Sequence, residues 1–461
     1  RVSSSAPTDS PQPRTDARAI LALAIPALGA LVAEPLFILV DSAFVGHVST
    51  AALAGLSIAS TILTTVVGLA IFLAYSTTAA VARAVGAGDL TKALTKGIDA
   101  TWLAALIGLA CALVLGFGAD VVIGFFGPRA EVAHEASTYL RISAAGLPAM
   151  LMIQAALGLV RGLQDTRITL IIAAVGAALN VPINWALIFG LNLGIAGSAI
   201  GTLICQWGMA LWYIGIIVRG ARRHSVSLTP NFSGVNSAWR EGRWLFIRSV
   251  TMRIVLLTAT AIAIKLGEVT LAAHQLMNSV FSLTALALDS LAIAAQALTG
   301  KHLGAGDRKS VESVTRTLVR WSFVGGLAVA AVLLLASFVL PQVFTPDPAV
   351  QRSLTWALVV LLIAQPLAGY VFVLDGVYMG AGDARYLGLA GLVTMGAYIP
   401  FALGLWWVSD AGLLPADSPF ALALLWAIFT FVFLASRAAT LRWRGRTDAW
   451  MHLEEHEGLE A

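Results

Sequence analysis

The chain has little charge. Of its 461 residues, 12% are Asp, Glu, Lys or Arg and 58% are hydrophobic, against about 25% charged and roughly 45–50% apolar in a soluble domain. So few charges cannot cover the water-facing surface of a chain this long, which excludes a soluble fold. Cysteine is nearly absent: Cys111 and Cys205 both lie in apolar segments, which excludes a disulfide framework. The net charge of +4 is scattered over loops, so no nucleic-acid partner is expected. The seven histidines lie mostly in loops or tails, without metal-ligand spacing, and no metal site is expected. Two Gly-Ala-Gly-Asp segments, at 86–89 and 304–307, follow no strand and precede no Gly-Lys-Ser/Thr. That excludes a phosphate-binding loop and leaves tight helix-connecting turns with Asp near a helix start. No cofactor is expected.

What the chain has in quantity is long apolar stretches. A transmembrane helix needs about 20 mostly apolar residues, and twelve such stretches occur near 19–44, 51–82, 95–118, 136–159, 168–190, 194–218, 241–265, 270–299, 314–343, 352–376, 386–408 and 419–437. They are rich in Ala, Leu and Gly, as packed membrane helices are, and show none of the alternation of a membrane barrel. The fold class expected is an all-α membrane protein of twelve spans in the lipid bilayer. Residues 1–18 are polar and rich in Pro and Ser, which predicts a disordered tail, and the long first stretch does not read as a cleaved signal peptide. Residues 438–461 form a second tail.

Lys and Arg collect in alternate loops. One set holds Arg83, Lys92 and Lys96; Arg161 and Arg167; Arg219, Arg222 and Arg223; Arg240 and Arg243; Lys301, Arg308 and Lys309; Arg385; and Arg442, Arg444 and Arg446, while the opposite set offers little beyond Arg129 and Lys265. By the positive-inside rule both termini face the cytoplasm, and the expected location is the inner (plasma) membrane.

The chain also repeats. Sliding it against itself by 218 residues lays Gly86–Asp89 on Gly304–Asp307, Arg83 on Lys301, Phe126 and Pro128 on Phe344 and Pro346, and Pro148 on Pro366. The same shift lays Gly162, Asp165 and Arg167 on Gly380, Asp383 and Arg385, Pro182 on Pro400, and Gly194 on Gly412. Each half holds six spans, an even number, so both halves enter the membrane in the same sense. A pseudo-twofold along the membrane normal should relate them. The expected organisation is an N-lobe over 19–218, a cytoplasmic linker over 219–240 and a C-lobe over 241–437, the layout of an alternating-access transporter.

At this point the residues resemble a family. The segment Leu39-Val40-Asp41-Ser42-Ala43-Phe44-Val45-Gly46-His47 resembles the first-helix motif of the multidrug and toxic compound extrusion (MATE) transporters. The two Gly-Ala-Gly-Asp turns, Arg161-Gly162-Leu163-Gln164-Asp165-Thr166-Arg167, and the run from Leu374 to Asp383 look like its DinF-like branch. The resemblance covers about 18–440 and implies an antiporter, not an enzyme, that expels organic cations or other amphipathic toxins against inward H⁺ or Na⁺.

Ionisable residues inside spans are costly and so are functional candidates. Asp41 lies five residues before Gly46, and Glu34 two turns earlier on nearly the same face. Pro26 and Pro35 fall in the same span and supply two bending points. In the fifth span Asn180 and Asn184 are four apart, so they share a face, and Asn184 lies about level with Asp41. A carboxylate beside two amides suits a titrating proton or a hard cation held by oxygens; the asparagines also suit interhelical hydrogen bonding. The resemblance supports Asp41 and Asn180 as functional, whereas at Asn184 many relatives carry a second carboxylate. One fewer charge favours a single-proton switch over a Na⁺ site.

The second half does not repeat these residues, since Asp41 falls on Ala259 and Asn180 on Tyr398. It carries its own charges instead: Arg248 and Arg253 in the seventh span, Asp289 in the eighth and Asp375 in the tenth. Matched depths and opposite signs predict a buried network joining those three spans, either locking the lobe or opening on protonation. Gln154, Gln206, Gln275, Asn278 and Gln296 either line the cavity or tie helices together. The function expected is a monomeric H⁺-coupled antiporter of cationic or amphipathic small molecules. The alternatives are Na⁺ coupling or a flippase for lipid-linked precursors, which would show a strongly cationic central cavity.

Overall fold

A backbone in hydrocarbon must satisfy its own hydrogen bonds, so continuous apolar segments become helices. The computed structural model describes residues 13–451 apart from residue 416, without the side chains of residues 13–16, 34 and 37. The described residues are helix and connecting turns, with no strand. The first half comprises α1 (Pro13–Gly46), α2 (Thr50–Leu69) and α3 (Phe72–Gly86), α4 (Leu90–Gly124), α5 (Ala130–Ala144) and α6 (Leu147–Gly162), α7 (Thr166–Trp185) and α8 (Gly194–Arg223). The second comprises α9 (Phe232–Leu266), α10 (Glu268–Gly304), α11 (Arg308–Ser337), a short α12 (Leu340–Phe344), α13 (Pro348–Ala381), α14 (Ala384–Asp410), α15 (Ala421–Ile428) and α16 (Ala435–Arg444). Eleven helical runs are long and apolar enough to cross a membrane, and the pair α5 and α6, bent by 51°, makes a twelfth. They form two six-span lobes.

Boundaries differ from expectation at the tails and the linker. Helix α1 begins at Pro13, inside the segment expected to be disordered, while 1–12 and 452–461 lie outside the described residues. Across the expected linker, α8 continues to Arg223 and α9 starts at Phe232, so only 224–231 connects the lobes.

The repeat holds contact by contact. Gly108 of α4 faces Pro148 so closely that an added Cβ would lie 2.5 Å from its Cα, and 218 residues on Gly326 of α11 faces Pro366 at 2.7 Å. Gly158 packs on the Ala74 carbonyl and Gly376 on the Ala292 carbonyl, again at the same offset. The two lobes meet where the offset maps each onto the other. Gly86 rests on the Lys301 carbonyl and Gly304 on the Arg83 carbonyl, so the pseudo-axis passes between the two Gly-Ala-Gly-Asp turns. Gly88 and Gly306 adopt φ of 77° and 70°, the left-handed conformation that closes a helix cheaply only at glycine. Asp89 and Asp307 then cap the next helix, accepting from the amides of Lys92 and Ser310 at 2.7 and 3.1 Å. The Ser310 hydroxyl and amide hold the Asp307 carboxyl below the usual carboxylate range.

Near these turns the lobes are tightly joined, because α3 packs on both α6 of its own lobe and α10 of the other. Helix α2, which together with α3 makes the single span Thr50–Gly86, packs chiefly on α5. The lobes therefore part away from the turns, and the cavities lie there.

Candidate functional site

Three helices of the first lobe bring polar groups to one point. Helix α1 supplies Asp41, α7 supplies Asn180 and Asn184 from a shared face, and α8 supplies Thr202. Asp41, Asn180 and Asn184 are 5%, 1% and 0% exposed, so their polar atoms must find partners within the bundle. The Asn184 amide donates to Asp41 Oδ1 and, at 3.2 Å, to Asn180 Oδ1. Thr202 Oγ1 donates to Asp41 Oδ2 at 3.0 Å, and Asn180 donates to Thr202 Oγ1 at 3.4 Å. Both oxygens of one carboxylate thus accept from neutral donors, the arrangement that suits its ionised form. Asn184 Oδ1 is buried without a partner, which leaves a vacant acceptor beside the carboxylate. Pro182 lies between the two asparagines, and directly after Asn184 the chain winds as a π-helical turn, Ala186–Gly190, a form that recurs at functional sites.

Gly201 makes this packing possible. A methyl there would overlap Asn184 Oδ1, and overpacking of this kind costs about 1–3 kcal/mol. Gly201→Ala is expected to push Asn184 off Asp41, lowering the melting temperature in detergent and slowing substrate exchange. Unchanged melting and exchange together would show that Asn184 has room to move without consequence.

A cavity of about 230 Å³ opens beside Asp41, with Tyr139, Gln154, Thr202 and Gln206 among otherwise largely apolar walls. Helix α1 runs unbroken through Pro26 and Pro35. The Ala22 carbonyl that Pro26 leaves without its helical donor is met by Thr166 Oγ1 at 3.4 Å, and the adjacent Leu23 carbonyl by the same hydroxyl at 3.0 Å. Pro26 is therefore tied to α7. Glu34 lies outside the residues whose side chains are described.

In the second lobe Asp375 of α13 is held from two sides, by Arg248 of α9 at 2.8 Å and by Arg437 of α16 at 2.6 Å. Arg437 also donates to the Leu387 carbonyl at 3.2 Å. Of the four charges singled out from sequence, Arg248 and Asp375 are brought together, while Asp289 and Arg253 are not part of that ion pair. Asp289 instead lines a small space of about 120 Å³ with Tyr75 and Arg161 of the first lobe. Arg253 makes no ion pair among the described residues and reaches towards α2, where a methyl on Gly68 would lie 3.1 Å from its guanidinium. A cavity of about 350 Å³ is lined by Arg248, Arg253, Asp289, Asp375 and Arg437. The small space shares Tyr75 and Asp289 with this cavity and Gln154 with the first-lobe one, so the three adjoin.

Sequence reasoning missed Thr202, Arg437 and the approach of Arg161 to Asp289. A threonine in a span ordinarily bonds its own preceding turn and so gives no signal, and Arg437 reads as the start of a basic tail. The histidines, expected mostly in loops, include one buried in α10: His274 Nε2 lies 3.1 Å from Asn278 and 3.4 Å from Thr260. No cluster of three or more His, Cys, Asp or Glu suited to a metal occurs among the described residues.

The chain compares with known proteins as follows. The MatE family model matches residues 26–186 and 245–403. The chloroplastic protein DETOXIFICATION 44 of Arabidopsis thaliana is 31% identical over 453 residues, covering 94% of this chain and 83% of that protein. The DNA damage-inducible protein F of Escherichia coli K12 is 27% identical over 449 residues, covering 94% of each. In three dimensions the chain resembles a mutant of the Vibrio cholerae MATE transporter VcmN, with a TM-score of 0.84 at 20% identity over 95% of this chain and 99% of that one, a likeness of fold. The chain belongs to the MATE family of multidrug and toxic compound extrusion transporters.

Proposed function

We propose that the protein exports amphipathic organic molecules, organic cations among them, in exchange for inward H⁺ by alternating access, with Asp41 as the coupling carboxylate. In this reading it lies in the plasma membrane as a monomer, with both termini and the Gly-Asp turns at the cytoplasm, because Lys and Arg gather on that side. The observation that carries the proposal is a buried carboxylate whose oxygens are met by Asn184 and Thr202, with no second acid in the cluster among the described side chains. A single proton then neutralises the whole site. The ionised form holds α1, α7 and α8 together and attracts a cation into the adjoining cavity. The protonated form loses an acceptor, weakens that tie and releases the substrate. Proton and substrate favour different states of one element, which is what coupling requires.

Closure at the Gly-Asp turns supports a state open to the opposite, outer side, from which a proton reaches Asp41. Movement of α1 would begin beyond Pro26, near Pro35, since the first proline is tied to α7. The vacant Asn184 Oδ1 favours a second reading, in which the amide turns over and a Na⁺ ion takes oxygens from Asp41, Asn180 and Asn184. Proteoliposomes loaded with a fluorescent cationic dye separate the two. A pH gradient without Na⁺ is expected to drive dye movement; drive by a Na⁺ gradient alone would overturn the proton reading.

A further inference from the structure

The cavities of the two lobes have opposite polarity. In the first, Asp41 is the charged side chain on the wall among the described residues. Around the second stand Arg248, Arg253 and Arg437, and Arg161 lies on the adjoining small space. Against these four cations stand two acids. Asp375 is shared between Arg248 and Arg437 and balances one of them. Asp289 lines the small space together with Arg161 and balances that one. Among the described residues two positive charges remain, and Arg253 lies on the open cavity wall without an ion pair. Donors are in excess as well: Nε of Arg248 and Nε of Arg161 are both buried without a partner.

Uncompensated charge in a cleft with apolar walls focuses potential and raises the local concentration of the opposite charge. A guanidinium presents a planar fork of donors that matches carboxylate or phosphate oxygens. The remaining walls are largely apolar, with Met252, Leu256, Phe281 and Phe372 among them. A volume of about 350 Å³ lies within the range of small-molecule sites.

Building on the transporter reading above, we propose that the second-lobe cavity binds the acidic group, carboxylate or phosphate, of an amphipathic organic anion. Arg253 is its principal ligand, the Arg248 side chain on the same wall a second, and the apolar body lies against Phe281 and Met252. The protein then handles substrates of both signs, or a zwitterion spanning both lobes, rather than organic cations alone.

The test uses four probes with one apolar body: 2-naphthoate, 2-naphthyl phosphate, 2-naphthylmethanol and (2-naphthylmethyl)trimethylammonium. Binding to the full-length protein in phosphatidylcholine nanodiscs is measured by calorimetry, with empty nanodiscs subtracted. At least one acid is expected to bind about tenfold or more tightly than the alcohol, the worth of a charge-assisted hydrogen bond, while the ammonium probe reports the first-lobe site beside Asp41. Which acid binds better distinguishes a carboxylate from a phosphate substrate. Arg253→Gln is expected to bring that acid to the level of the alcohol, and Arg253→Lys to retain part of the preference. Equal binding of acids and alcohol, or an acid preference that survives Arg253→Gln, would overturn the proposal. Dye exchange under a pH gradient, measured on the same preparations, keeps the two readings apart. Intact exchange without acid preference ends this inference alone, and acid preference without proton drive ends the coupling assignment alone.

Discussion

Asp41→Asn is expected to abolish exchange driven by a pH gradient, reducing it by about a hundredfold, at the upper end of the coupling that binding sites ordinarily show. The substitution is nearly isosteric. An amide at position 41 still offers one oxygen to Asn184 or Thr202, so the helices stay packed and the protein should purify as wild type does. What it cannot do is exist in two charge states. In wild type, acidifying the outside favours the protonated form and speeds export, while raising the outside pH leaves Asp41 ionised and slows it. In the variant that dependence should flatten, leaving residual movement the same at acid and neutral pH. Dye efflux from proteoliposomes at several outside pH values checks this. A variant that keeps the pH dependence of wild type would place the titrating group elsewhere, with Asp289 the first candidate.

Asp375→Asn should be the most destabilising single change in the second lobe. It removes one acid and leaves two buried guanidinium groups, those of Arg248 and Arg437, facing each other without a counter-charge. Breaking a buried ion pair from one side costs about 3–5 kcal/mol, and here repulsion between two arginines adds to it. Arg437→Leu should be milder, since Asp375 keeps Arg248, and α16 loses its bonds to Asp375 and the Leu387 carbonyl. Thermal unfolding in detergent should therefore rank wild type above Arg437→Leu and both above Asp375→Asn. If Asp375→Asn melts within about 1 kcal/mol of wild type, the arginines have another partner, such as Asp289 or a bound anion.

The duplicated six-span architecture was legible because membrane helices announce themselves by length and hydropathy, and because the halves reuse the same small residues at the same contacts. Gly108 and Gly326 recur since both face a proline backbone that leaves no room for a side chain. Asp41 was legible because a carboxylate in hydrocarbon needs a reason, and the two asparagines because a spacing of four puts them on one face. Other features depend on partners far along the chain. Thr202 acquires meaning only when α8 lies beside α1, and Arg437 only when the last span folds back on α13. The bend between α5 and α6 shows the same limit in local terms. Pro148 and Pro366 are equivalent under the repeat, yet only the first breaks its span. The residue two before it is Gly146 in one lobe and Ala364 in the other, and a glycine next to the missing hydrogen bond lets the chain turn where an alanine keeps it helical.

The contact between the two Gly-Asp turns sets a limit on how far the halves of this molecule have been free to drift apart. Over most of the bundle each half answers to its own neighbours, which is why one lobe could acquire a lone carboxylate where the other has Ala259, and why an arginine triad could arise on one side only. On the axis itself each copy is the wall of the other. Any side chain at Gly86 displaces the backbone carrying Lys301, and any side chain at Gly304 displaces the backbone carrying Arg83, so neither position is free to change while its counterpart stays put. The two halves are thus able to specialise in chemistry while sharing a single boundary, and that boundary behaves as one inherited shape held in duplicate.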